Sequence, residues 1–505
     1  MSTNKSIAKS AGTIGLATSL SRVLGFIRDI VIAKFFGTAI FAQAFVVAFR
    51  IPNLLRDLVG EGAMNAAFVP VLTEELTKKG KYEFFRLAQV VLNILFLSLL
   101  ALTAVGILAS PAIIRLIAPG FWADPEKFQI TVTLTRTLFP FLILVGLWAY
   151  AMGVLNSLGH FATPAFGPCA LNLSIILCAL WFGDNVFGLA TGVLAGGVLQ
   201  LFIQLPPLYL KGWKPRLTKE FAHPKAKRIG ILLVPRGLGA CVYQVNVFVS
   251  TILASLSGVV GEGAVAALYY ANRIWQLPLA IFGIAIAQAV LPTMSRQAAL
   301  ENIQSLKDTL LFSLRTLFFI LVPSCIGLMV LSTPITKLLF ERGAFTAYST
   351  QITSNALFFY AVGLVACGGI KVLVNAFYSL QDTATPVKTA AVSLIINIVL
   401  NLLLMGPLKV GGLALATSIA AIFNCVLLYI FLRKKIGSLG IGKILGSLFK
   451  ILLAGLIMGL LCYFTSLRVN VIVTIFLGIG SYFLVCFLLG SHELKEFLSW
   501  ISKRK

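Results

Sequence analysis

The chain has 505 residues, of which 59% are hydrophobic and only 11% charged, and its formal net charge is +24. A soluble domain carries about 25% charged residues, so the composition excludes a soluble globular protein. The positive charge does not describe a nucleic-acid binder, because the lysines and arginines fall mostly in short loops, with no basic domain and no aromatic-interleaved patch.

Apolar stretches of about 20 residues, long enough to cross about 30 Å of hydrocarbon, recur from end to end. They predict fourteen spans, at 12–36, 39–66, 85–110, 129–156, 163–183, 186–210, 228–257, 265–292, 309–333, 350–379, 386–405, 411–432, 443–465 and 470–490. The N-terminus reads as retained rather than as a cleaved signal, since Arg22 and Arg28 interrupt its apolar region and that region runs past a normal signal core. With the N-terminus inside, the inside loops hold Lys78, Lys79, Lys81 and Arg86, then seven cations between Lys211 and Arg228, then Arg433, Lys434, Lys435 and Lys443. The outside loops hold only scattered cations such as Arg115, Lys127, Lys337 and Arg342. This alternation predicts that both termini are cytoplasmic.

The first span carries Arg22, Arg28 and Asp29. At 100° per residue Arg22 and Asp29 share a face about 10 Å apart, while Arg28 points about 120° away from Arg22. The second span carries Arg50, Asn53, Asp57 and Glu61 as a drifting polar stripe, with Arg56 just off it. A charge at the bilayer centre costs about 2.5–3.5 kcal/mol on insertion scales. Such groups face a wet cavity or pair with one another, and a cationic cavity implies anionic cargo. The competing structural reading pairs Arg50 with Asp57 and Arg56 with Glu61, but local carboxylates are too few to neutralise all four arginines.

Further along, Arg273 lies within Tyr269-Tyr270-Ala271-Asn272-Arg273, with no carboxylate nearby on its own helix. It reads either as a cavity cation or as one that snorkels or pairs with an acid elsewhere. Lys371 is another intramembrane cation, equally open between pairing and lining the cavity. Arg136, Arg315 and Lys450 sit nearer span ends and read as snorkelling.

An internal repeat organises these elements. Ser157-Leu158-x-x-x-Ala162-Thr163-Pro164 recurs 222 residues later as Ser379-Leu380-x-x-x-Ala384-Thr385-Pro386. The same offset carries Pro70 onto Pro292, and one residue more carries Arg50-Ile51 onto Arg273-Ile274. A unit of six spans gives parallel repeats about an axis along the membrane normal. The chain therefore reads as an all-α polytopic membrane protein with an N-lobe at 1–215 and a C-lobe at 225–433. Two extra spans follow at 443–490, then a cytoplasmic tail at 491–505. At this offset Arg22 and Arg28 align with Gln244 and Ser250, so the first lobe is cationic where the second is neutral.

Catalysis finds no support. There are three histidines, all in or near loops, and no phosphate-cradling GxxxxGK[ST], HExxH or GxSxG motif. The eight cysteines lie in apolar stretches without a CxxC pair, so they read as small buried hydrophobes and no metal site is expected.

Ser21-Arg22-Val23-Leu24-Gly25-Phe26-Ile27-Arg28-Asp29 resembles the first-span signature of the MurJ/MviN lipid II flippases. Ala48 to Arg56, Glu61-Gly62-Ala63, Ala67 to Pro70, Tyr269 to Arg273 and Gln381-Asp382-x-x-Thr385-Pro386-Val387 resemble the same family, over the whole chain. The resemblance implies a fourteen-helix fold of the MOP exporter superfamily in the bacterial inner membrane. It implies movement of an undecaprenyl-diphosphate-linked peptidoglycan precursor from inner to outer leaflet by alternating access, without an enzymatic step. It carries essential arginines onto Arg22, Arg28, Arg56 and Arg273, an acid onto Glu61, and a lipid-tail groove onto the last two spans. It allows cell-wall synthesis proteins as partners and implies no resident cofactor. Gln43 stands where some relatives carry Asp, Asn272 precedes Arg273 where Asp is common, and Ser250 replaces a sodium-ligating Asp. Coupling to sodium or protons is thus left open. The alternatives are an exporter of another anionic lipid-linked oligosaccharide, a cation-coupled drug exporter, whose cavity should be acidic, and a non-transporting scaffold, whose intramembrane arginines should be dispensable.

Overall fold

The computed structural model describes residues 3–58, 64–214, 220–438 and 441–495; within its helices the side chains of 3–11, 55–58, 64–67, 232–243 and 441–445 are not described. Glu61 and the side chains of Arg56 and Asp57 therefore lie outside the described residues. All regular structure in the described residues is helical.

The first compact unit comprises residues 1–256 with Arg342–Phe345. It contains α1 (Thr3–Phe36), α2 (Ile40–Leu58), α3 (Met64–Ile117), α4 (Pro125–Leu138), α5 (Phe141–Ser157), α6 (Ala162–Phe182), α7 (Val186–Leu210) and α8 (Pro224–Ala254). The second unit comprises Ser257–Glu341 and Thr346–Lys505. It contains α9 (Ser257–Val260), α10 (Ala264–Pro278), α11 (Ile284–Ala299), α12 (Ile303–Val330), α13 (Ser332–Phe340), α14 (Ala347–Val362), α15 (Leu364–Ser379), α16 (Ala384–Leu408), α17 (Val410–Ile436), α18 (Ile441–Ser466) and α19 (Val471–Leu488).

Each of the fourteen expected segments contains helix. Several are broken: α4 and α5 share one segment across Pro140, α10 and α11 share one across a π-helical turn at Leu279–Gly283, and α14 and α15 bend by 44°. By length and apolarity, ten helices among the described residues can cross a membrane, or eleven if the bent pair counts as one span. The ten do not include α1, and of α2 and α8 the described residues contribute only the apolar stretches Ile40–Leu54 and Gln244–Ala254, each bounded by residues whose side chains are not described.

The repeat is visible in the backbone. Gly159 and Gln381, 222 residues apart, both take a left-handed conformation, with φ of 74° and 58°. The N–H of His160 donates to the Leu155 carbonyl and that of Asp382 to the Phe377 carbonyl, each at 2.9 Å. His160 Nε2 meets Thr163 Oγ1 at 2.7 Å, and Thr385 Oγ1 donates to Asp382 Oδ2 at 2.9 Å. Two different side chains thus perform the same tie to a threonine three residues on, at the start of α6 and of α16. The Asp382-x-x-Thr385 pattern is accounted for by this helix start and by Lys435 at the end of α17, 2.8 Å from Asp382.

Close helix approach uses glycine. A Cβ on Gly196 would stand 2.9 Å from Leu171 Cα, so α7 lies against α6 where a side chain would not fit. The core of the first unit gathers Phe68, Leu72, Phe84, Tyr150 and Trp213, and also Ile229 of α8. Packing thus assigns α8 to the first unit, whereas the repeat makes it the first helix of the 225–433 lobe. The boundary by packing falls at Leu256 rather than in the basic 211–228 loop.

In the second unit α18 and α19 pack on α12. Tyr482 donates to the Phe319 carbonyl at 2.7 Å, and Arg315 Nε donates to Glu493 at 2.7 Å, with Ser447 on the same carboxylate. Arg315 therefore does not snorkel as the sequence suggested. An acid beyond the last span reaches it, and distance along the chain hides that pairing.

Candidate functional site

The polar face of α1 is built against α6. Arg28 and Asp29 are both buried, and Arg28 donates from Nε and Nη2 to one Asp29 oxygen, at 3.0 and 2.8 Å. Its Nη1 donates to Asn172 Oδ1 at 2.9 Å, and Asn172 Nδ2 donates to the Ser21 carbonyl at 3.1 Å. Asn172 also lies against Gly25, where a Cβ would make an ordinary contact at 3.5 Å. Asn172 thus fixes both the helix backbone and the guanidinium plane.

The helical wheel put Arg22 and Asp29 on one face and Arg28 about 120° from Arg22, yet Arg28 reaches the Asp29 carboxylate. An arginine side chain is long enough to fold back over its neighbour, so a 100° step does not separate Arg28 from Asp29. A buried charge with a bound carboxylate is tolerable where a lone one is not. Arg22, one and a half turns earlier, is exposed. The sequence reading missed Asn172, because a single amide in an apolar span has no periodic signal.

On α2, Arg50 crosses to α8, donating from Nη1 to the Val247 carbonyl at 3.0 Å and to Thr251 Oγ1. The described partners of Arg50 are therefore neutral groups on another helix. Asn53 is half-buried on the same helix.

At the other end of α2, Gln43 accepts from the buried Lys127 Nζ at 3.2 Å and donates to the Thr38 carbonyl at 3.2 Å. Lys127 Nζ also lies 4.4 Å from the centre of the Phe121 ring. The sequence placed Lys127 in an outside loop; the structure tucks it under that loop. Gln43 meets the ammonium as a neutral amide acceptor.

In the second unit Arg273 lies on α10, with its guanidinium 4.8 Å above the Tyr269 ring and Nη2 donating to the Tyr269 hydroxyl at 3.2 Å. Asn272 accepts from Gln276 at 3.3 Å, which makes it a helix-surface contact. Lys371 is exposed on α15. The structure thus brings together Arg28 and Asp29, and the contacts described above for Arg50 and Arg273 are with neutral groups.

A separate polar belt joins α3 to the start of α8. Glu74 lies 2.8 Å from Lys225, 3.0 Å from Lys78 and 3.1 Å from Arg228, and Arg86 Nε donates to Glu220 at 2.7 Å. Ligand atoms of Glu75, Glu83 and His223 lie within 4.8 Å of one another there. Lys79 holds Glu75 at 2.9 Å and Arg86 lies 3.6 Å from Glu83, so cations already compensate this cluster. Lys225 N–H donates to His223 Nδ1 at 3.2 Å, which uses the ring to cap α8.

Broken helices in two repeated sets, with charges seated inside spans, define a polytopic membrane transporter. The fold agrees: an inward-facing multidrug resistance MATE family transporter of the MOP superfamily superposes with a TM-score of 0.68 at 15% identity, over 84% of this chain and 98% of that one. A structure titled lipid II flippase MurJ, inward closed conformation, gives a TM-score of 0.80 at 28% identity, over 94% of this chain and 98% of that one. The family model for lipid II flippase MurJ matches residues 32–483. The lipid II flippase MurJ of Burkholderia cenocepacia is 35% identical over 431 residues, 84% of this chain and 83% of that protein. The probable lipid II flippase MurJ of Bdellovibrio bacteriovorus is 32% identical over 508 residues, 97% of this chain and 96% of that protein. The chain belongs to the lipid II flippase MurJ family.

Proposed function

We propose that this chain moves lipid II, the lipid-linked peptidoglycan precursor, from the inner to the outer leaflet of the bacterial cytoplasmic membrane by alternating access. Family membership over residues 32–483 carries the reading, and the buried Arg28–Asp29–Asn172 network supplies its chemistry. In this reading Arg22, Arg28, Arg56 and Arg273 receive the diphosphate through charge-assisted hydrogen bonds, which are about twice as strong as neutral ones. Asp29 and Asn172 keep the Arg28 fork in one orientation, so that binding does not have to order it. Asn53, Asp57, Glu61, Arg50 and Lys371 form the surrounding polar cavity. The headgroup occupies that cavity while the polyprenyl tail stays in lipid beside α18 and α19. Both termini face the cytoplasm. No resident cofactor takes part.

Cells depleted of their own flippase and supplied with this chain provide the test. Lipid II should leave the inner leaflet at the normal rate. Accumulation there, despite normal expression of the chain, would overturn the reading.

A further inference from the structure

Two short loops close on helix ends within the first unit, and they are related by the repeat. The loop after α3 carries Pro119-Gly120-Phe121, and the loop after α13 carries Arg342-Gly343-Ala344-Phe345, so that Gly120 and Gly343 match within one residue of the 222 offset. The first loop meets the end of α8, where Gly120 N–H donates to Ser255 Oγ at 3.1 Å. The second meets the end of α1, where Ala344 N–H donates to the Lys34 carbonyl at 2.8 Å. Lys34 and the pair Ser255–Leu256 are themselves repeat equivalents within one residue.

Both contacts exclude a side chain. A Cβ on Gly120 would fall 1.9 Å from the Ser255 carbonyl oxygen, and one on Gly343 would fall 2.3 Å from that of Lys34. Gly37, which ends α1 with φ of 53°, would place a Cβ 2.2 Å from the Ala344 oxygen. Each loop is anchored by a fully buried phenylalanine, Phe121 or Phe345. Each loop supplies a donor to a helix end, where the run of backbone partners along the helix itself gives out.

The exchange is reciprocal. A loop that follows the third span of one repeat closes on the first span of the other, and the converse holds for its partner. By packing, Arg342–Phe345 belongs to the first unit while α13 and α14 on either side belong to the second. On the predicted topology α1 ends at the outer surface. We propose that these two glycine contacts are paired outer latches of the transport cycle, shut in this conformer and released together in the outward-open one. This rests on the transport reading above, because alternating access requires repeat halves to part at one end at a time.

The test pairs Lys34→Cys with Ala344→Cys in the full chain, with each single variant as control. Oxidation should form the cross-link and reduce lipid II translocation to background, and reductant should restore it. A cross-linked protein that translocates at the reduced rate overturns the proposal, as does failure to cross-link. A second measurement needs no cargo: Phe345→Cys should react slowly with a membrane-impermeant maleimide from outside, and several-fold faster when Gly343→Ala wedges the latch. Equal labelling also overturns it. Absence of translocation in the reduced protein, with normal latch labelling, would count against the transport reading instead.

Discussion

Helices α1 and α8 hold the same place in the two repeats, yet they do opposite work. On α1, Arg28 and Asp29 are buried against Asn172 of α6, so the helix carries an ionised group into the span. On α8 the aligned positions are Gln244 and Ser250, and the helix acts as a receiver. Its backbone and Thr251 accept Arg50, its first turn meets Glu74 through Lys225 and Arg228, and Ser255 at its end accepts from Gly120. Duplication supplied two equivalent helices, and at the positions aligned with Arg22 and Arg28 only the first copy kept the charge. That division explains how a repeat built symmetrically can hold its cationic groups on one side.

The comparison breaks most sharply at Asp29. Asp29→Ala leaves Arg28 buried without its carboxylate, and removing one partner of a buried pair costs about 3–5 kcal/mol. The purified variant should lose most of its thermal stability, while Ser250→Ala on α8 should melt with the parent protein. Equal melting of the two would place Arg28 in water rather than in a packed network.

Next in size is Asn172→Ala. Hydrogen bonds to charged groups contribute about 1.5–3 kcal/mol, so Tm should fall by less than for Asp29→Ala. Lipid II translocation should fall further than stability does, because the guanidinium loses its orientation. Asn172→Asp should keep the fold and still lose translocation, since a second carboxylate beside Asp29 makes the site net negative and repels an anionic cargo. Full activity in Asn172→Asp would show that the net charge at Arg28 is immaterial.

The smallest expected effect lies away from both helices. Lys435 first, then the Thr385 N–H, hold Asp382 from its ordinary 3.8 down to about 2. A depressed carboxylate stabilises the fold fully above its unfolded value, and the gain is lost as pH falls toward 2. Asp382→Asn should therefore cost at most about 1 kcal/mol for this partly exposed pair, by an amount constant between pH 5 and 8. A cost that varies across that window would assign the titration to another group.

Much of this architecture was legible in the sequence, because hydropathy and loop charge report directly on membrane spans. The repeat was legible too, since Ser157 to Pro164 and Ser379 to Pro386 keep residues that shape the same loop. Other features were hidden for identifiable reasons. Asn172 has no periodic partner, and Lys127 looks like an ordinary loop cation until Gln43 and Phe121 are seen around it. Arg315 finds Glu493 across 178 residues of sequence. The attachment of α8 involves Arg50, whose reach to the Val247 carbonyl and Thr251 on another helix has no signature in its own segment. The latch glycines read as plain turn residues, because a sequence does not show which backbone lies 2 Å from an absent Cβ.

The most direct test of a one-sided cationic site is the leaflet distribution of lipid II in depleted cells carrying Arg28→Ala, measured at normal abundance of the variant. The precursor should accumulate in the inner leaflet as it does without any flippase. Delivery to the outer leaflet at the parental rate would contradict the assignment of Arg28, and with it the division of labour between α1 and α8.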